Sequence, residues 1–129
     1  MTELRKILHV EDDPDIREIT LLALVELGGF EVLQCASGED ALAQAVAFAP
    51  DLMVLDVMMP GLSGVETLAA MRALPELAQT PAVFMTSKDI ASKDEDEIRE
   101  DAIGAIQKPF DPVALPDQLR QLIAAQQIR

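Results

Sequence analysis

The chain has 129 residues and a formal net charge of −13; half of it is apolar and only 3% aromatic. That length and composition suit one ordinary globular domain and exclude a globally disordered chain. Twenty-three acids against ten Lys and Arg make duplex DNA and anionic membranes poor partners, and one His (His9) with one Cys (Cys35) excludes an internal disulfide and a nitrogen–sulfur zinc site.

Any metal here is a hard cation held by oxygen. No apolar run approaches the ~18–20 residues of a membrane span. The opening Met1-Thr2-Glu3-Leu4-Arg5-Lys6 lacks the apolar stretch of a signal peptide, so a cytoplasmic location is expected.

In chain order, Ile7-Leu8-His9-Val10 reads as the first strand. Asp13-Pro14 follows as an N-cap with proline at the first helical position. Ile16, Ile19, Ala23 and Leu27 then recur at helical spacing until Gly28-Gly29 stops the helix. Residues 30–35 give a second strand. Ser37 to Asp40 opens a helix with Ala41, Leu42, Ala45 and Val46 on its apolar stripe, ended by Pro50. Leu52-Met53-Val54-Leu55 is continuously apolar, as a strand covered on both faces must be. Ser63-Gly64-Val65-Glu66 starts a third helix, with Val65, Leu68 and Ala69 on one face, and Pro75 closes it. Pro81 precedes a fourth buried strand, Ala82-Val83-Phe84-Met85.

Residues 89–101 are helical by position but weak by pattern, with Ile90, Ile98 and Ala102 as apolar markers around Lys93-Asp94-Glu95-Asp96-Glu97. Residues 103–106 form a fifth strand, and Leu115, Leu119, Leu122 and Ile123 mark a last helix. Pro112 and Pro116 cannot share one regular helix, so a short turn near Pro112 and a helix from about Pro116 are expected. Alternating strands and helices imply one α/β domain over 1–129. Its parallel sheet is covered on both faces, with ligands received at the carboxyl ends of the strands.

Those strand ends carry the chemistry. Glu11, Asp12 and Asp13 follow the first strand, Asp56 the third, Thr86 and Ser87 the fourth, and Lys108-Pro109 the fifth. No glycine-rich phosphate loop is present, which argues against dinucleotides and P-loop nucleotides, and no Trp or Tyr is available to sandwich a flavin. Converging carboxylates repel one another unless a divalent cation and a lysine relieve them. With the Thr86 hydroxyl, these parts match phosphoryl transfer to a carboxylate, and Asp56 on the central strand is the acceptor. Asp13 reads as a helix cap, His9 as a core or edge residue rather than a phosphohistidine, and Cys35 as a small hydrophobe.

The chain resembles the receiver domain of bacterial two-component response regulators. The resemblance rests on Val10-Glu11-Asp12-Asp13-Pro14-Asp15-Ile16-Arg17, Leu55-Asp56-Val57-Met58-Met59-Pro60-Gly61, Met85-Thr86-Ser87 and Lys108-Pro109-Phe110, in that order. It implies a flavodoxin-like doubly wound sheet of five parallel strands, order 2-1-3-4-5, with five helices. It implies transfer to Asp56 from the phosphohistidine of a sensor histidine kinase or phosphotransfer protein. Mg2+ would be held by Asp12, Asp56 and the Met58 backbone carbonyl, with Glu11 acting through a water. Thr86 and Lys108 would contact the phosphoryl oxygens, and Lys108–Pro109 would be a cis peptide. Such a chain is a phosphoacceptor signalling protein rather than an enzyme, though it assists its own phosphorylation and dephosphorylation.

Where many members carry Tyr or Phe three residues before the lysine, this chain has Ala105, so an aromatic rotamer switch cannot operate. Met58 and Lys88 stand where the family tunes phosphoryl lifetime. With the sequence ending at Arg129, the expectation is a receiver without an output domain. It would switch contacts with a downstream protein target or relay the phosphoryl group. Residues 90–101 and the fifth strand are expected to respond to phosphorylation more than the first two helices. The rivals are a receiver-like module that binds partners without phosphorylation, and an aspartate-nucleophile phosphatase of the haloacid dehalogenase type. The phosphatase would need an Asp-x-Asp motif that Glu11-Asp12-Asp13 does not supply.

Overall fold

The computed structural model describes residues 4–87 and 102–128. Its elements are β1 (Lys6–Val10), α1 (Pro14–Leu21) running into a π-helical turn (Leu22–Leu27), β2 (Glu31–Cys35), α2 (Gly38–Phe48), β3 (Leu52–Asp56), α3 (Gly64–Arg72), a 3-10 turn (Pro75–Leu77), β4 (Ala82–Thr86), β5 (Gly104–Gln107) and α4 (Leu115–Ile128). The five strands form one parallel sheet in the order β2-β1-β3-β4-β5, the expected flavodoxin-like topology. Four α-helices lie among the described residues. The helix expected over 89–101, with Lys88 and the segment expected to respond to phosphorylation, falls outside them. No helix among the described residues is long and apolar enough to cross a membrane.

Strand alternation divides the core into two layers. Leu8, Val10, Met53, Leu55 and Phe84 pack with Ala41, Ala45, Leu68 and Met71 from α2 and α3. Ile7, Leu52, Val54, Val83 and Met85 pack with Ala23 and Leu24 on one side and Leu115, Leu119 and Ile123 of α4. All five residues of β3 are buried, so its last residue, Asp56, is placed at the centre of the carboxyl edge.

The helix starts follow their sequence signals. Asp13 caps α1, accepting the amides of Asp15 and Ile16, with Pro14 at the first helical position. Ser63 and Glu66 form a reciprocal capping box on α3. The proline pair near the end behaves as expected: residues 112–114 form a turn on the Asp111 carbonyl, and α4 begins at Leu115 with Pro116 in its first turn. Pro75 opens the 3-10 turn, while α3 itself ends at Arg72.

The apolar stripe expected of the first helix is corrected. Beyond Leu21 the chain widens into a π turn, in which the Gly28 amide reaches back to the Ala23 carbonyl. The wider turn shifts the phase of the later residues. Ala23 and Leu24 are buried and Leu27 is 58% exposed; Ile19, in the regular part of α1 before the turn, is 44% exposed. Val46 also sits at the margin of its stripe, half-exposed, while Ala41 and Ala45 make the contact.

Candidate functional site

The strand ends bring the acidic groups together. Carboxylate oxygens of Glu11, Asp12 and Asp56 all lie within 4.8 Å of one another. Glu11 and Asp56 are buried and Asp12 is exposed. Lys108 reaches in from beyond β5, its Nζ 2.9 Å from Asp56 Oδ1 and 3.1 Å from Glu11 Oε1. Its backbone amide donates to the Thr86 carbonyl at 2.6 Å, so the ends of β4 and β5 hold Thr86 and Lys108 side by side. The Lys108–Pro109 peptide is cis. Met58 lies two residues past Asp56 with its side chain largely exposed. Ala105 pairs with Phe84 in the β4–β5 register and is exposed.

Asp13 does not join the cluster. Its Oδ1 is committed to the first turn of α1, and its amide donates to Glu11 Oε2 at 3.2 Å. His9 is fully buried, its pKa lowered to about 3 by burial and then by the nearby positive charges of Lys108 and Arg17. Cys35 is buried and its thiol is pushed up to about 11, chiefly by that burial.

Burial and the neighbouring charges shift the titration of Glu11 and Lys108. Burial first, and then the neighbouring Asp56 carboxylate, raise the Glu11 pKa to about 7. Burial pulls the Lys108 pKa down, but its pairing with Asp56 and Glu11 outweighs this and the net shift is upward. Among the described residues, the Lys108 ammonium pairs with two of the three carboxylates, Glu11 and Asp56. Such a cluster of hard oxygen donors, with one member driven toward protonation by burial and a neighbouring carboxylate, fits a divalent cation of the Mg2+ kind.

The scaffold around these groups includes residues to which sequence reasoning gave no role. A Cβ added at Gly64 would stand 2.1 Å from the Asp56 carbonyl oxygen, and the Gly64 amide donates to the Val57 carbonyl at 2.9 Å. Only glycine allows the 57–63 loop to fold back this closely beneath Asp56. Arg17 donates from Nη1 to the carbonyls of Glu11 at 2.8 Å and Asp12 at 3.0 Å. Beside the cluster, Ile16, Ile19, Lys108, Pro109 and Phe110 line an almost wholly apolar cavity of about 360 Å3.

Known proteins place this geometry in context. The family model for the response regulator receiver domain matches residues 7–120. The phosphate regulon transcriptional regulatory protein PhoB of Pseudomonas aeruginosa is 33% identical over 122 residues, covering 92% of this chain and 52% of that protein. Response regulator Rre1 of Synechocystis is 30% identical over 127 residues, covering 98% of this chain and 55% of the relative. The chain therefore spans about half the length of these curated relatives. Among solved structures, the Vibrio cholerae chemotaxis protein CheY4 superposes with a TM-score of 0.84 at 30% identity, covering 93% of this chain and 99% of that one. A CheY-like receiver domain protein of Methanospirillum hungatei gives 0.83 at 25% identity, covering 97% and 98%.

Proposed function

The chain belongs to the response regulator receiver family, and from that premise we propose that Asp56 accepts a phosphoryl group in a Mg2+-dependent reaction. The donor is the phosphohistidine of a sensor histidine kinase or a phosphotransfer protein. The observation that carries this reading is the Lys108 ammonium 2.9 Å from Asp56 Oδ1, inside a cluster of three carboxylates.

In the reaction an Asp56 carboxylate oxygen bonds to phosphorus as the P–N bond to the donor imidazole breaks, and the bonding pair stays on that nitrogen. Asp12, Asp56 and the Met58 carbonyl would hold Mg2+, with Glu11 acting through a water. The ion would supply positive charge to the phosphoryl oxygens. Lys108, already on Asp56, shifts to a phosphoryl oxygen, and the Thr86 hydroxyl donates to another. The apolar cavity between α1 and Phe110 gives the donor protein a place to rest beside Asp56. The product switches contacts with a downstream protein target or passes the phosphoryl group on.

The test is intact mass after incubation with acetyl phosphate and Mg2+. Wild type is expected to gain one phosphoryl group and Asp56→Asn none. Equal phosphorylation of both overturns the assignment, and no adduct on wild type favours a partner-binding module instead.

A further inference from the structure

The acidic loop after β1 is tied to α1 by a connected set of hydrogen bonds outside the carboxylate cluster. Arg17 Nη1 donates to the carbonyl oxygens of Glu11 and Asp12 at 2.8 and 3.0 Å. The direction of each carbonyl sets the backbone ψ of its own residue, so one guanidinium fixes ψ at both acids. Asp12 is exposed, and its backbone is what aims its carboxylate at Asp56.

Arg17 is held in turn. Its carbonyl accepts from Gln34 Nε2 at 2.8 Å, and the same nitrogen lies 3.1 Å from His9 Nδ1. A carbonyl can only accept, so Gln34 presents its amide nitrogen and donates its second hydrogen to the imidazole. That leaves the His9 proton on Nε2. His9 and Gln34 are register partners in β1 and β2, and His9 is fully buried. The circuit runs from β1 through β2 to α1 and back to the residues that end β1. It docks α1 at one height over the sheet, with the guanidinium opposite the acidic loop.

We propose that Arg17, anchored by Gln34 and His9, is a positioning residue that sets the geometry of the metal-binding carboxylates. This rests on the reading of the site as a Mg2+-dependent phosphoacceptor. Groups that orient metal ligands through hydrogen bonds typically change metal affinity roughly 10–100-fold when removed.

The probe is Mn2+ binding to the full chain, read by the loss of free-ion electron paramagnetic resonance signal, beside the thermal midpoint of the metal-free protein. Arg17→Ala is expected to weaken Mn2+ binding at least ~10-fold while folding as wild type does. Arg17→Lys recovers part of the loss, because an ammonium still donates to these carbonyls. Gln34→Leu gives an intermediate loss through the released Arg17. Wild-type affinity in folded Arg17→Ala overturns the proposal. Should that variant not fold, wild-type affinity in both Arg17→Lys and Gln34→Leu overturns it equally. A wild-type chain that takes up no Mn2+ overturns the site reading itself, a result distinct from unchanged variants.

Discussion

Burial holds the His9 imidazole neutral, with its pKa lowered from 6.5 to about 3. In the unfolded chain the same ring takes a proton near 6.5. Between those values the unfolded state binds the extra proton. The contribution of His9 to stability is therefore complete above pH 6.5 and lost as pH falls toward 3. Glu11 acts in the opposite direction: its raised pKa makes the metal-free protein lose stability as pH rises from 4.5 to about 7. Replacing His9 leaves that opposing slope in place. Thermal midpoints of metal-free His9→Leu are expected to fall less steeply below pH 6.5 than those of wild type; parallel curves would contradict the buried neutral imidazole. At Gly64 the Cβ of an alanine would collide with the Asp56 carbonyl oxygen at 2.1 Å. Gly64→Ala should cost about 1–3 kcal/mol in urea unfolding and slow phosphorylation by moving Asp56. Asp56, Lys108, Glu11 and Asp12 were legible in the sequence because each follows an apolar strand run, where the topology gathers side chains. Arg17, Gln34 and Gly64 were not, because their partners are backbone carbonyls and a ring nitrogen that only the packed fold brings near.

Strand and helix starts were legible for a local reason: caps, prolines and apolar runs act within a few residues of themselves. Ser63 and Glu66 show this, and Ser63→Ala should cost ~1 kcal/mol by removing one half of the capping box. The π turn over Leu22–Leu27 was not legible, because it is supported from a distant part of the chain. Arg120 of α4 lies 4.6 Å from the Phe30 ring centroid and donates to the Gly28 carbonyl, where α1 and its π turn end. Ile19, in the regular part of α1, is 44% exposed beside the apolar cavity, which separates docking from chemistry. Ile19→Glu is expected to slow transfer from a phosphorylated kinase or phosphotransfer protein several-fold and to leave the rate with acetyl phosphate unchanged. Equal slowing with both donors would remove α1 from the docking face.

At the scale of the molecule, a chain of net charge −13 concentrates three carboxylates at the edge of its central strands, and among the described residues Lys108 pairs with two of them. A parallel sheet in the order β2-β1-β3-β4-β5 makes this possible, since every strand delivers its following residue to the same edge. Mg2+ should therefore raise the thermal midpoint of wild type, and raise that of Asp56→Asn less. The central claim is that Asp56 forms the bond to phosphorus. Borohydride reduces an aspartyl phosphate to homoserine, which peptide mass spectrometry locates in the chain. After acetyl phosphate and Mg2+, homoserine is expected at position 56 alone, and nowhere when Mg2+ is omitted; homoserine at position 12 or 13 with Asp56 intact would contradict the account.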